Sequence, residues 1–405
     1  MNPTRTLVLV ASVLTLGWAS TPVHAQGGSL TPPGAPAPTM RSLQEIWDKL
    51  EEVGTAQSEL QTSLRQLDVS QPWTIVTIDT QDWVGVDNEL AFTPFGQPAV
   101  SYLDNTASDL KYAEFDGTTW HVQRLDEPGL VGRLSSLAFG PTGHPSISYY
   151  DDTNKVLKFT IFDGVNWQNS IVDFNSNNGT HTCHRYTPDG RPAISYRADN
   201  GSELRYAEFN GTSWDIQSVD SADNVGRDND LEFSPYGQPA ISYNDETNND
   251  VKLAIFNGTT WDISVVDANG DVGRFTSLEF SPTGQPTVCY YDNGNGDLKF
   301  AEFDGSAWNV TVVDSEGSVG KHCWLAYRPN GLPAIAYWDE TNFKLRYAEF
   351  DGTSWQLETV PISGNVGRNA CLVFSPTGVP YISYFDSSTL DMKLVIRSPF
   401  YPPAP

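Results

Sequence analysis

Tryptophan recurs at a fixed interval of 47 residues through most of this chain. The series consists of Trp73, Trp120, Trp167, Trp214, Trp261, Trp308 and Trp355. No insertion or deletion interrupts the spacing, so the chain repeats one supersecondary unit seven times. A repeat of this length that is rich in strand formers is typical of one blade of a β-propeller.

Each repeat contains four short strand signals separated by turn residues. In residues 261–307 the strands are SLEF, TVCYY, LKFAEF and WDISVV, and the turns that join them contain Pro, Gly, Asn and Asp. Short turns between successive strands predict an antiparallel sheet. The sequence therefore predicts an all-β fold, a seven-bladed propeller of four-stranded antiparallel blades over residues 73–401.

The two ends of the repeat array predict how the ring closes. The seventh copy has no fourth strand, because its third strand is followed by SPFYPPAP at the end of the chain. A spare fourth strand, Trp73–Asp79, stands before the first complete copy. We expect residues 73–79 to complete the last blade, which would remove an open sheet edge.

The residues before the propeller predict export and assembly. Residues 1–25 resemble a signal peptide, with Arg5, an apolar stretch and the site Val23-His24-Ala25. Residues 26–39 form a Gly/Pro linker, and residues 40–68 have the 3–4 spacing of a short coiled-coil helix. We expect a secreted or periplasmic homo-oligomer; a single helix packed on the propeller is the alternative.

The charge of the chain excludes some partners. With 24 Lys and Arg against 50 Asp and Glu, the formal net charge is −26. Such a protein repels nucleic acid and anionic membrane surfaces. No segment after the signal peptide is long and apolar enough to span a membrane. An extracellular glycan or protein remains as the expected partner.

The four cysteines do not form a recognisable disulfide framework. They are Cys183, Cys289, Cys323 and Cys371. Cys289 replaces a small residue of its repeat, which predicts a buried apolar side chain. Cys323 and Cys371 occupy nearly matching positions in neighbouring repeats and are the one pair for which a bridge is considered.

Side chains that suit a binding site converge on one predicted face, formed by the second turn and the long loop of each repeat. We call it the loop face. Its candidate ligand-binding residues are basic, acidic or aromatic. They are Arg133, Arg227, Arg274, Lys321 and Arg368 beside a repeated Gly; Asp151, Asp245, Asp292, Asp339 and Asp386 in the second turn; and Tyr150, Tyr291, Trp338 and Phe385 at a variable position before it.

Guanidinium groups, carboxylates and aromatic rings together suit carbohydrates, because the polar groups bind hydroxyls and the rings stack on C–H faces. The alternative for the basic residues is a structural one, in which each pairs with a loop Asp. In the third strand a basic residue recurs in every copy, as in Lys111, and is expected to pair with a nearby Asp. The repeated Trp and Tyr are expected to pack between blades.

Metal binding has weak support in the sequence. His181, Cys183 and His184 cluster in the third repeat, but this spacing is a poor signal for zinc or copper. The turns Asp245–Asp250 and Asp292–Asp297 offer oxygen ligands for calcium, although Asx-rich turns look the same without a metal. No cofactor is predicted, and calcium is kept as the alternative.

No catalytic motif of the GxSxG, HExxH or P-loop type is present. The third turn, FDGTTW or FDGTSW, resembles the Asp-box of sialidase-like propellers, although its Asp and Gly are adjacent and a leading Ser is missing. The whole repeat, GRxxSLxFxPxGxPxISYYDxxNxDLKYAxFDGxxW, resembles one found in exported bacterial and archaeal proteins. That resemblance implies a propeller and assigns no activity.

The sequence thus favours a secreted, non-enzymatic propeller that binds extracellular ligands, with glycans as a suitable class, through its loop face. A glycan-processing hydrolase of the sialidase or glycosidase type is the first alternative. A structural surface or assembly protein is the second.

Overall fold

A computed structural model describes residues 73–127, 129–175 and 177–397, which form 28 β-strands. The predicted signal peptide, linker and coiled-coil helix lie outside the described residues, and so does the proposed oligomer interface at residues 40–68. In the described part of the chain, no helix is long and apolar enough to cross a membrane.

The strands follow the 47-residue period. The first strands of the seven blades are β2 (Val84–Phe92), β6 (Val131–Phe139), β10 (Asn178–Tyr186), β14 (Val225–Phe233), β18 (Val272–Phe280), β22 (Val319–Tyr327) and β26 (Val366–Phe374). The second strands are β3 (Pro98–Asp104), β7 (Pro145–Asp151), β11 (Pro192–Ala198), β15 (Pro239–Asp245), β19 (Pro286–Asp292), β23 (Pro333–Asp339) and β27 (Pro380–Asp386).

The third strands are β4 (Asp109–Phe115), β8 (Val156–Phe162), β12 (Glu203–Phe209), β16 (Asp250–Phe256), β20 (Asp297–Phe303), β24 (Lys344–Phe350) and β28 (Asp391–Arg397). The fourth strands are β1 (Trp73–Asp79), β5 (Trp120–Asp126), β9 (Trp167–Asp173), β13 (Trp214–Asp220), β17 (Trp261–Asp267), β21 (Trp308–Asp314) and β25 (Trp355–Thr359).

Each blade is a four-stranded antiparallel meander. Six sheets use four consecutive strands, and the seventh has the order β1-β28-β27-β26, with Trp73 opposite Arg397. The predicted all-β, seven-bladed propeller with four-stranded blades is confirmed. The first strands of adjacent blades contact one another around the whole ring, so they line its central channel.

The core lies between blades rather than at one centre. Apolar side chains of neighbouring sheets form one buried cluster per junction, as where Leu90 and Val100 meet Met392 and Leu394. The repeated Trp packs against two rings at once. Trp167 lies 5.6 Å from Phe162 of its own blade and 5.2 Å from Tyr112 of the preceding blade. The expected packing of Trp between blades is confirmed.

A hydrogen-bonded clasp joins the blades at six junctions. The second-strand Tyr donates to the Asp that ends the fourth strand of the preceding blade, at 2.6–2.9 Å. The third-strand basic residue meets the same Asp, as where Lys111 lies 3.0 Å from Asp79, so the expected Lys–Asp pairing is confirmed. At the seventh junction Pro361 replaces the Asp, and the buried Tyr384 hydroxyl has no hydrogen-bond partner.

All four cysteines are free and buried. The bridge considered between Cys323 and Cys371 is therefore absent. The two thiols contact different carbonyl groups instead: the Cys323 Sγ donates to Phe275 O at 2.9 Å, and the Cys371 Sγ to Leu90 O at 3.7 Å. The two cysteines are 48 residues apart, one more than the repeat, so they occupy adjacent rather than equivalent positions in neighbouring blades.

Candidate functional site

A bulge in each first strand exposes one side chain at the loop-face end of the central channel. The register of the first and second strands shifts here, as between Arg274 and Ser277. The bulged residue has a φ of 49–55° in all seven blades, although none is a glycine. We call these seven residues the mouth ring: Asp87, Leu134, His181, Asp228, Phe275, His322 and Asn369.

All seven members of the mouth ring are partly exposed, and several neighbouring members contact one another. The Leu134 N–H donates to Asp87 Oδ2 at 3.1 Å. The rings of Phe275 and His322 have centroids 4.4 Å apart. The chemistry of the ring changes from acid to apolar to imidazole along the circle.

One acid–imidazole pair stands in the mouth ring. His181 Nδ1 lies 3.1 Å from Asp228 Oδ1, and the Asp228 backbone N–H lies 3.2 Å from the same nitrogen. Burial raises the pKa of Asp228, but the hydrogen bond and charge of His181, with smaller contributions from the Phe275 N–H and Arg227, bring the pKa to about 2. Burial lowers the pKa of His322 to about 4, so that imidazole is neutral at pH 7.

The predicted basic residues stand next to the mouth ring, and most are paired. Arg133 meets Asp152 at 3.2 Å and Arg227 meets Glu246 at 2.8 Å; Lys321 pairs with Glu340. These acids follow the predicted Asp of the second turn by one residue. The structural alternative holds in part, since these basic groups have acidic partners while remaining partly exposed.

The other two predicted basic residues have no acidic partner among the described residues of their own blade. Arg274 lies 3.7 Å from Glu246, the acid of the preceding blade. Arg368 is exposed, and its guanidinium lies 4.5 Å from the centre of the Trp338 ring. It forms no ion pair with another described residue.

The predicted acidic residues have structural partners, and ligand binding by them stays a prediction. Asp151, Asp245, Asp292, Asp339 and Asp386 are at most 3% exposed. Asp245 is representative: it accepts the Thr247 and Asn248 N–H groups at 3.0 and 3.1 Å and meets Lys252 at 2.6 Å. Such carboxylates close the second turn and neutralise the third-strand Lys.

The predicted aromatic residues are also buried. Tyr150, Tyr291, Trp338 and Phe385 are 3–4% exposed, so the expected free faces for sugar stacking are not present. Their faces are covered: Lys321 lies 5.3 Å from the Tyr291 ring centre, and Trp83 stacks on Phe385 at 6.5 Å. Ligand binding by these residues stays a prediction, and it would involve the ring edges and the polar atoms rather than the covered ring faces.

Sequence reasoning missed a charged cluster inside the channel. Arg185 donates to Glu89 across two blades at 3.0 Å and to Glu232 at 2.7 Å, and it lies 3.4 Å from Asp230. Burial raises the pKa of Glu279, and the neighbouring carboxylate of Glu232 raises it further. The available signal was asymmetry, because Arg occurs at this repeat position in the third copy alone.

The side chains considered for a zinc or copper site do not point to a common centre. His181 contacts Asp228, Cys183 Sγ donates to Asp230 at 3.1 Å, and His184 is bonded to Ser146 and Ala193, so the three residues face different surroundings. Among residues 73–127, 129–175 and 177–397, no group of three or more His, Cys, Asp or Glu side chains has a metal-binding arrangement.

No protein-family model and no curated protein matches the sequence. Solved structures with a similar fold include the Kuenenia stuttgartiensis hydrazine synthase (12% identity, 80% of this chain and 98% of that chain, TM-score 0.59). They also include a PL25 ulvan lyase bound to -[GlcA(1-4)Rha3S]- (12%, 78% and 94%, 0.53) and YCF48 bound to D1 peptide (15%, 80% and 94%, 0.53). At such identities the likeness establishes the β-propeller fold alone.

Proposed function

We propose that this chain is an exported, non-enzymatic propeller that binds carbohydrate at the loop-face mouth of its central channel. The mouth ring is the observation that carries the proposal. Its seven residues share one left-handed backbone conformation but differ in chemistry. They surround one opening and are partly exposed, so a ligand can reach them.

The conformation argues for a role of the side chains. A left-handed φ costs an L-residue roughly 1 kcal/mol, and Gly or Asn is the usual occupant. Leu134 and Phe275 hold this conformation at φ of 54° and 55°. A purely structural position would gain stability from Gly, so bulky occupants indicate that their side chains serve another purpose. Strained positions of this kind cluster at ligand sites.

The surrounding chemistry suits a sugar. The paired Phe275 and His322 rings give an apolar surface, while the exposed Arg–carboxylate pairs at the rim provide donors and acceptors for hydroxyl groups. The ulvan lyase bound to a saccharide is a propeller of similar fold and is consistent with this ligand class. Oligomerisation through residues 40–68 would strengthen weak sites by avidity.

A glycan array tests the proposal, using the mature chain from Gln26 with and without calcium. We expect retention of a defined set of glycans, and loss of at least about tenfold in affinity when Phe275→Asn and His322→Asn are combined. Asn369 already occupies the same position in the seventh blade, so the backbone tolerates the change. An array on which the wild-type chain retains no glycan would contradict the proposal.

A hydrolase is the second candidate, favoured by the acids in the channel. A carboxyl group whose pKa is raised, as burial and Glu232 do for Glu279, is suited to donate a proton to a glycosidic oxygen. This candidate predicts release of reducing ends from a retained glycan and loss of that release in Glu279→Gln. Retention of the glycan with no cleavage over days would exclude it.

A further inference from the structure

Four repeat positions lie at the loop-face side of a blade junction, and we call each group of four side chains a junction cell. A cell comprises the variable residue of one blade and three residues of the next: one before the first strand, the basic position and the residue after the second-turn Asp. Between the third and fourth blades these are Arg197, Asn224, Arg227 and Glu246. Glu246 accepts from Arg197 at 3.3 Å, Asn224 at 3.0 Å and Arg227 at 2.8 Å, so this cell is closed around its carboxylate.

The cell between the fifth and sixth blades is closed in the same way. Tyr291 OH and Ser318 Oγ are 2.9 Å apart, Ser318 donates to Glu340 at 3.0 Å, and Lys321 pairs with Glu340. The side chains differ from those of the previous cell, but a glutamate again unites them. A carboxylate is therefore the common acceptor of both cells.

The cell between the sixth and seventh blades lacks this carboxylate. It consists of Trp338, Asn365, Arg368 and Ser387, each 47 residues after its counterpart in the preceding cell. Ser387 stands where Glu340 stood. Trp338 Nε1, Asn365 Oδ1 and Ser387 Oγ are buried and have no hydrogen-bond partner, and Arg368 covers the Trp338 ring at 4.5 Å.

Three buried polar atoms without hydrogen-bond partners in one cell destabilise the fold. A buried donor or acceptor without a partner is destabilising, and the large majority of buried side-chain polar atoms in folded proteins have one. Trp338 is 97% buried, since its exposed fraction is 3%, so its indole N–H is held in place by packing. The missing partner is an acceptor that also attracts the Arg368 guanidinium, and a carboxylate meets both requirements.

We propose that this open cell binds the carboxylate of an acidic sugar, with a neighbouring sugar hydroxyl donating to Asn365 Oδ1. The ligand carboxylate takes the place of the absent glutamate and accepts hydrogen bonds from Trp338, Ser387 and Arg368. This inference rests on the proposed carbohydrate binding at the loop face and narrows it to uronic acids. It also gives Trp338 a polar role in place of stacking.

Two glycosides that differ only at C6 test the inference: methyl β-D-glucuronide, with a carboxylate there, and methyl β-D-glucoside, with a hydroxymethyl group. The indole N–H resonance of Trp338 is identified in a ¹H–¹⁵N spectrum as the one that Trp338→Phe removes. We expect the glucuronide to move this resonance, and the glucoside to bind at least about tenfold more weakly because it lacks the charge.

Closing the cell by mutation provides the matched variant. Ser387→Glu restores the glutamate of the two closed cells, so we expect it to abolish glucuronide binding while the melting temperature stays level or rises. The reverse change, Glu340→Ser, tests whether an opened cell gains binding; a gain supports the inference, and unchanged binding by both variants contradicts it.

The outcomes separate this inference from the proposed function. If array glycans bind the wild-type chain and Ser387→Glu equally, or if the two glycosides bind alike, the open cell is not the site and the proposed function stands. If no saccharide binds the wild-type chain in the array or in solution, both fail. Glucuronide binding that leaves the Trp338 resonance unmoved also overturns the inference.

Discussion

At the residue scale, one glycine in each repeat sets the distance between blades. The Gly at the start of the first strand has a positive φ, +105° for Gly320, and a Cβ there would lie 2.7 Å from the Leu298 Cα of the preceding blade. That distance is too short for any side chain. The glycine is therefore required twice, for the backbone conformation and for close approach.

A pair of alanine variants separates these two requirements. Gly305 has a similar φ of +96°, but its Cβ would meet nothing within 4 Å. We expect Gly305→Ala to lower the free energy of unfolding by about 1 kcal/mol through backbone strain alone. Gly320→Ala should cost at least about 3 kcal/mol because overpacking adds to the strain. Urea unfolding measures both, and equal costs would refute the close-approach argument.

Protonation of a buried histidine predicts part of the pH dependence of the folding stability. Burial lowers the pKa of His184 to about 4, below its ordinary value of 6.5. The unfolded chain then binds the proton first, so His184 favours folding above pH 6.5 and this contribution is lost as the pH falls towards 4. The loss amounts to about 3 kcal/mol. His184→Leu, which copies the other six blades, should remove that slope from stability measured between pH 7 and pH 4.

At the element scale, turns and strands were predictable from residue types, whereas several of the side-chain contacts they make were not. Gly and Pro mark the turns because few residues adopt the required φ, and the period places every strand. The turn role of the acidic residues was not predictable, because Asp245 meets Lys252 only once the hairpin register pairs Asp245 with Asp250. The mouth ring was missed because Leu and Phe do not indicate a left-handed bulge.

The imperfect seventh clasp yields a prediction with an internal control. Tyr243 donates to Asp220 at 2.7 Å, whereas the hydroxyl of Tyr384 is buried without a partner. Tyr384→Phe removes an unsatisfied group and should leave the free energy of unfolding unchanged or raise it slightly. Tyr243→Phe removes a bond to a carboxylate and should lower it by about 2 kcal/mol. Comparable losses in thermal melts of both variants would contradict this account of the clasp.

At the scale of the whole molecule, the ring joins residues that are far apart in sequence. Strand β1 pairs with β28, which places Trp73 opposite Arg397. The ends of the repeat array indicated this pairing, because the seventh repeat lacks a fourth strand and residues 73–79 form a fourth strand that precedes the first complete repeat. The Arg185 cluster was not predictable, since Arg185 and Glu89 meet only after the ring places the first and third blades around one channel.

Two truncations test the closure of the ring. Deleting residues 1–68 leaves β1 intact, so the chain should melt as the mature protein does. Deleting residues 1–80 removes β1, exposes the edge of β28 and should lower the melting temperature markedly. Coincident melting curves for the two truncations would show that β1 is dispensable.

The central claim is that a glycan binds the loop face, and calorimetric titration with the best-retained array glycan tests it most directly. Phe275 lies in the mouth ring, while Phe95 lies in a first turn on the opposite face and is 90% exposed. The account predicts that Phe275→Asn weakens binding at least about tenfold, the effect of losing a main stacking contact, and that Phe95→Asn leaves the Kd unchanged. Loss of affinity in Phe95→Asn with an unaltered Kd in Phe275→Asn would contradict it.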